Sequence, residues 1–172
     1  MRVSRISRKR MRVVFKSGFT LIELLVVMAI VAILTTISLA SFRNVQIKAR
    51  DGQRKSDLEQ VQRALEFYLN DHGSYPLSSV GSIKVGAVTL DWKTRGAAGS
   101  EFVDANETVY MKELVGDPKA SPNYCYLSND TGSFYKIYAK LENANDPKAA
   151  GPYTCGGSSD YNYGVSSFDT TP

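Results

Sequence analysis

The feature that most constrains this chain is an apolar run from Phe19 to Ala40. Its 22 residues contain one charged side chain, Glu23, and neither proline nor glycine. A helix rises about 1.5 Å per residue, so the run is roughly 33 Å long, enough to cross a hydrocarbon core of about 30 Å. We therefore predict that residues 19–40 form a membrane-spanning helix.

The residues around this run distinguish it from a plain membrane anchor. An acidic residue within a spanning helix costs on the order of 3 kcal/mol, so we expect Glu23 to have a partner. Residues 1–17 carry seven basic residues and no acidic one, and Gly18 separates them from the run. This charge favours a cytoplasmic N-terminus, although five basic residues between positions 43 and 55 weaken the bias.

The sequence G-F-T-L-I-E at residues 18–23, followed by the apolar run, resembles the signature of type IV prepilins and type II secretion pseudopilins. The resemblance implies that a prepilin peptidase cuts between Gly18 and Phe19 and methylates the new amine of Phe19. It also implies that Glu23 meets this amine on a neighbouring subunit when the subunits pack into a filament. A cation next to Glu23 would partly compensate for burial of the carboxylate.

The function implied by this resemblance is that of a structural filament subunit, from a type IV pilus or a type II secretion-like pseudopilus. The precursor would cross the cytoplasmic membrane once, with its N-terminus inside, and would then join an extracytoplasmic filament. The implied partners are the prepilin peptidase, copies of the chain and other pilins or pseudopilins, the membrane, and an inner-membrane assembly platform. Major pilin, minor pilin and secretion pseudopilin remain alternatives.

Two rival interpretations of the N-terminus were weighed. One is a bitopic membrane protein that keeps its leader and carries an extracytoplasmic binding domain. The other is a secretory signal cut after Ala40, where small residues occupy the expected positions. The apolar core of 22 residues is too long for a usual signal, whose core has about 7–15 residues.

Composition and motifs exclude several function classes. The net charge is +4, but seven of the 21 basic residues lie in the leader, which leaves 14 basic against 17 acidic residues after processing. The basic balance therefore reflects topology, and no nucleic-acid partner is predicted. The chain has one histidine and no glycine-rich phosphate-binding motif, so the sequence offers no catalytic constellation and we predict that it is not an enzyme.

The helical pattern continues beyond the apolar run. Leu58, Val61 and Leu65 recur at three- and four-residue steps, and no proline appears before Pro76. Gly73 suits a left-handed helix cap. We predict one helix over about residues 20–70 and four segments in the chain: a leader (1–18), a membrane or filament-core helix (19–40), an amphipathic continuation (41–71) and a head (72–172).

The head is predicted to contain a small antiparallel sheet, so that the fold class is α+β, a pilin-like fold with a long N-terminal helix packed on the sheet. Residues 134–141 alternate strictly, with Tyr135, Ile137, Ala139 and Leu141 on the core face. Residues 124–127 and 161–166 read as further strands, and residues 128–132 as a hairpin turn. Residues 109–115 are predicted to form a short helix, and residues 142–157 a long loop.

The two cysteines, Cys125 and Cys155, both lie in the head. If the head is outside the cytoplasm, one disulfide is the natural pairing, and two unpaired buried thiols are the alternative.

The resemblance also raises calcium, because some pseudopilins hold it through acids in C-terminal loops. The available acids here are Asp146, Asp160 and Asp169, whose spacing matches no calcium motif. We expect these acids to be solvated at the surface, and we predict no metal site and no cofactor.

Overall fold

The computed structural model describes residues 18–94, 96–119 and 122–167, without the side chains of residues 37–41. The chain divides into two units, residues 1–42 and 43–172. The first element, helix α1, comprises Leu21–His72 and runs through 52 residues of both units. It ends at Gly73, whose φ of 72° is left-handed and whose amide donates to the Leu69 carbonyl at 2.7 Å. The predicted helix and its glycine cap are confirmed.

Within the described part of the chain, no helix combines the length and the hydrophobicity needed to cross a membrane. The span predicted for residues 19–40 includes positions 37–40, whose side chains lie outside the described residues, and it stays a prediction.

In the unit of residues 43–172, α1 supplies one wall of the hydrophobic core. Leu58, Val61, Ala64 and Leu65 are at most 3% exposed and occur at the spacing of one helix face. They pack in one cluster with tyrosine and aliphatic side chains from the strands. The amphipathic segment therefore holds the head by burying its apolar face.

The core sheet consists of β6 (Cys125–Ser128), β7 (Tyr135–Ala139) and β10 (Tyr163–Ser166), in the order β10-β7-β6. Both pairs are antiparallel. The predicted core face of the central strand is buried, since Tyr135, Ile137 and Ala139 are fully inaccessible. The α+β, pilin-like fold with an antiparallel sheet is thus confirmed.

The segment between α1 and the core sheet forms a second antiparallel sheet of three short strands. These are β1 (Leu77–Ser79), β2 (Ser82–Val85) and β3 (Val88–Thr89), in sequence order. The turn between β1 and β2 places both Val80 and Gly81 at positive φ, 48° and 84°. An added Cβ at Gly81 would lie 2.5 Å from the Cys125 sulfur, so the turn requires glycine there.

Residues 109–115 correct one prediction, because no helix forms there. Strand β5 (Val109–Met111) instead pairs antiparallel with β4 (Phe102–Val103), and residues 112–115 continue without regular structure. Phe102 is fully buried in the core cluster, so its packing holds this ribbon against the core. The burial of Phe102 is a long-range contact that overrides the local helical preference of the segment.

The predicted loop over residues 142–157 also contains structure, since β8 (Tyr153–Cys155) pairs with β9 (Ser158–Tyr161). This ribbon packs against β6 and β7 in a second, smaller hydrophobic cluster. Its members are all at most 6% exposed: Cys125 and Tyr138 from the core sheet, and Cys155 and Tyr161 from the ribbon. The rings of Tyr138 and Tyr153 stack with centroids 5.0 Å apart. The outer face of β7 is therefore covered as well.

Candidate functional site at the N-terminal motif

The predicted cleavage site lies at the start of the described chain, before the first helical turn. An added Cβ at Gly18 would have no heavy atom of the described residues within 4 Å, and Phe19 is 85% exposed. No secondary structure covers residues 18–20. The backbone at the predicted cut is therefore accessible to a peptidase.

Glu23 takes part in a reciprocal cap of α1 with Thr20. The Thr20 amide and hydroxyl donate to Glu23 Oε2 at 3.2 and 3.1 Å, and the Glu23 amide donates to Thr20 Oγ1 at 3.2 Å. This is a capping box, which satisfies backbone amides that the first helical turn leaves without partners. The T-x-x-E spacing of residues 20–23 is the sequence pattern of a capping box, but the prediction from sequence used only the charge of Glu23.

The cap leaves the Glu23 side chain exposed and engages only one of its two carboxylate oxygens. All described donors reach its Oε2 oxygen, and none of the described residues donates to Oε1. The carboxylate also lies in the first helical turn, where the helix dipole favours negative charge. The geometry therefore orients a carboxylate with one oxygen available for another donor.

The surface behind the motif is apolar on all sides. Twelve large apolar side chains between residues 19 and 34 are 49–85% exposed. A helix that is apolar all round is normally buried, and isolated soluble chains rarely show a contiguous apolar surface of this size. This segment therefore requires lipid or other polypeptide around it.

In the second unit, a buried ion cluster joins α1 to the loops of the head. We use "ion cluster" for Arg50, Asp51, Arg54, Asp117 and Glu142. The Arg54 guanidinium is 2% exposed and holds Asp117 through two hydrogen bonds, of 2.6 and 3.0 Å. It also reaches Asp51 at 2.8 Å and Glu142 at 2.9 Å. Four contacts thus distribute one buried cation over three carboxylates.

Further hydrogen bonds, including one from Lys119 outside the cluster, neutralise its carboxylates. Arg50 donates to both oxygens of Glu142, at 2.6 and 2.7 Å, and Lys119 donates to the same carboxylate at 2.5 Å. Asp51 accepts the backbone amides of Glu142 and Asn143, both at 2.9 Å. Because no carboxylate is left without a donor, burial of these charges is compensated.

These contacts shift the pKa values within the cluster. The hydrogen bonds from Arg50 lower the pKa of Glu142 far below its ordinary value; burial opposes this shift, and Lys119 and Arg54 reinforce it. Burial alone would lower the pKa of Arg54, but its hydrogen bonds with Asp117, Glu142 and Asp51 raise the pKa instead. Both groups therefore stay ionised at neutral pH.

The single histidine, His72, does more than end the helix. Its Nε2 lies 3.0 Å from Asp104 Oδ2 and 3.2 Å from the Tyr110 hydroxyl, and its ring stacks on Tyr68. Asp104 also accepts the amides of residues 106 and 108. These bonds attach the β4–β5 ribbon to the end of α1.

The cysteines and the C-terminal acids take different places. Cys125 and Cys155 form a disulfide, the pairing expected for a head outside the cytoplasm, across 30 positions of sequence. Asp146 is bonded to Lys55 at 2.6 Å, while Asp160 accepts from Ser158 and lies 3.6 Å from Lys140. Asp169 lies outside the described residues. Asp146 and Asp160 thus have different partners, and the ion pair with Lys55 corrects the expectation that Asp146 is solvated at the surface. The expectation of no cofactor stays a prediction.

Comparison with known proteins connects the motif to a family. Residues 15–39 match the model of the prokaryotic N-terminal methylation motif. Type II secretion system core protein G of Pseudomonas aeruginosa is 31% identical over 124 residues, which cover 72% of this chain and 82% of that protein. The chain belongs to the family of type II secretion system core protein G. The same protein of Aeromonas hydrophila is 30% identical over 123 residues, 71% of this chain and 78% of that protein.

Membership of this family confirms the resemblance read from residues 18–23, and it confirms a structural subunit of the pilus and pseudopilus kind. The family's protein from Vibrio cholerae is 29% identical over 113 residues, 66% of this chain and 71% of that protein. No solved structure matches the chain.

Proposed function

We propose that the chain is a non-enzymatic pseudopilus subunit of a type II secretion-like system, held in the cytoplasmic membrane as a precursor and cut between Gly18 and Phe19. The observation that carries the proposal is the apolar surface of residues 19–34, which begins directly behind an accessible motif. Lipid covers such a surface before assembly, and neighbouring copies cover it afterwards. The prepilin peptidase, an inner-membrane assembly platform and other pseudopilins are the partners that this function requires.

Glu23 is proposed to guide this exchange of lipid for protein. Thr20 holds one carboxylate oxygen, and the other faces no donor among the described residues. Cleavage would free a methylated amine at Phe19 of the adjacent copy, and this cation would bind the available oxygen. A buried carboxylate with a cation is far less costly than one alone, so pairing favours one axial stagger between neighbouring helices.

A pair of substitutions separates the charge of Glu23 from its role in the cap. Glu23→Gln keeps the capping-box pattern, in which glutamine replaces glutamate, and removes the charge. Glu23→Val removes both. If the ion pair guides assembly, both variants enter the membrane, and the filament mass sheared from cells falls at least about tenfold for each, equivalent to about 1.4 kcal/mol. Normal filament mass with Glu23→Gln would show that the charge is dispensable.

The cleavage site is tested at Gly18 on its own. An added Cβ at Gly18 would meet no described heavy atom within 4 Å, so a side chain at this position can act on recognition without crowding the described fold. The full-length precursor of Gly18→Phe should accumulate on a denaturing gel, while the matched variant Gly18→Ala is processed at least in part. Complete processing of Gly18→Phe would place the cut elsewhere.

A further inference from the structure

The head carries an aromatic side chain that the described residues leave mostly uncovered. Phe67 lies on the amphipathic segment of α1 and is 64% exposed. Arg63, one helical turn earlier, is also exposed and forms no ion pair with a described residue. We call these two residues the Phe67 patch. Of the acids nearest to it, Glu66 accepts from Tyr75 and Tyr135, and Glu59 is exposed one turn beyond Arg63.

A cavity of about 510 Å³ lies beside the end of α1 in the same unit. Most of its wall is apolar or aromatic, from Tyr68, His72, Val85, Val88, Leu90 and Val103. Of its two acids, Asp104 is bonded to His72, whereas Glu101 is exposed and forms no ion pair with a described residue. Among the described residues, the cavity thus combines apolar walls with one carboxylate, Glu101, that has no cationic partner.

Phe67 does not line the cavity of its own chain. Tyr68, the next residue of the same helix, lines that cavity, and successive residues of a helix point about 100° apart. Any contact between the Phe67 patch and the cavity therefore joins two molecules. The charges match in such a contact, since the patch offers Arg63 and the cavity offers Glu101.

We propose that the cavity receives Phe67 of a second copy of this chain, with Arg63 of that copy against Glu101. The two surfaces differ, so each subunit would use its patch toward one neighbour and its cavity toward another. A contact of this heterologous kind produces open helical assemblies when it does not close into a ring. The inference rests on the proposed function and assigns the head-to-head contact of that filament.

Thiol cross-linking in filaments of the full processed chain tests the contact. The variant with both Arg63→Cys and Glu101→Cys keeps Phe67 and should give a ladder of covalent oligomers with a flexible bismaleimide, whose linker replaces the reach of the two long side chains that a direct disulfide could not span. A matched pair, Arg63→Cys with Asp130→Cys, places the second cysteine at an exposed turn outside the cavity and should give none. Filaments without the expected ladder, or with equal ladders from both pairs, would overturn the inference alone. A wild-type chain that forms no filament would overturn the proposed function and the inference together.

Charge exchange provides an independent measurement. Arg63→Glu and Glu101→Arg should each lower filament mass by roughly threefold or more, because like charges would then face each other. The double exchange should restore most of the wild-type mass. Phe67→Ala should lower it as well, whereas Val109→Ala, which shortens another exposed apolar side chain, should not. Additive losses in the double exchange would exclude the Arg63–Glu101 contact.

Discussion

The substitution Arg54→Met tests whether the ion cluster fastens α1 to the head. Methionine keeps a similar length without the four hydrogen bonds of the guanidinium. Glu142 would keep Arg50 and Lys119, and Asp51 would keep two backbone amides. Asp117, which is 2% exposed, would keep the amide of Lys119 but lose its cation.

Removing one partner of a buried ion pair costs about 3–5 kcal/mol, because the remaining charge is uncompensated. For a unit of residues 43–172 this corresponds to roughly 10–20 °C in melting temperature. Arg50→Met is the matched control, since Arg50 is 27% exposed and Glu142 keeps two other cations. Its cost should stay within about 1 kcal/mol.

The assay uses the fluorescence of Trp92, the single tryptophan, which is 7% exposed and packs edge-on against Tyr124. Guanidinium unfolding of the full chain in detergent micelles then reports the free energy of unfolding of the head. Adding Asp117→Asn to Arg54→Met should recover part of the loss, because it removes the charge left without a cation. Equal losses for Arg54→Met and Arg50→Met would refute the reasoning.

The remaining predictions concern pH, the disulfide and one turn. Because the pKa of Glu142 is lowered in the folded state, its ionised form stabilises the fold above its unfolded pKa of about 4.3, and this stability is lost as the pH falls. Glu142→Gln should therefore make the melting temperature depend less on pH below pH 4. An unchanged slope of melting temperature against pH would contradict this. Replacing Cys125 and Cys155 by serine opens a separation of 30 residues and should cost about 3–4 kcal/mol in urea unfolding. Gly132→Ala should lose more than about 1 kcal/mol in the same assay, because the new Cβ would clash with the Tyr75 carbonyl oxygen; wild-type stability would contradict this packing at Gly132.

The helix and the core strand could be predicted because their signals are local. The three- and four-residue spacing of Leu58, Val61 and Leu65 follows directly from helix geometry, and Gly73 is placed by the backbone it must adopt. In β7, alternation alone identified Ile137 as a core residue. These features depend on periods of the chain, so one sequence is enough to read them.

The outer face of β7 and the β4–β5 ribbon could not be predicted in the same way. The alternation of residues 134–141 puts Tyr138 on the face opposite the predicted core residues, which was expected to face solvent. The ribbon carrying Cys155 covers it. Residues 109–111 have no alternation long enough to mark a strand, and their pairing with Phe102 depends on a contact made elsewhere in the fold. A local pattern shows that the two faces of a strand differ in polarity, but it does not show which distant segments will cover each face.

The ion cluster was missed for a related reason. Its bonds join residues 63 positions apart for Arg54 and Asp117, and 92 positions apart for Arg50 and Glu142. In the sequence, basic residues just after the apolar run appeared only as a weakening of the topology signal. The structure gives three of them a structural role, because the carboxylates of the head neutralise Arg50, Arg54 and Lys55.

The central claim is that processing creates the subunit's N-terminus at Phe19, where its amine can meet Glu23 of another copy. Mass spectrometry of the N-terminal peptide of the native chain, purified from assembled filaments, tests this claim most directly. The account predicts a peptide that begins with Phe19 and carries one methyl group on its amine. A peptide that begins at Met1, or at any residue before Phe19, would contradict it.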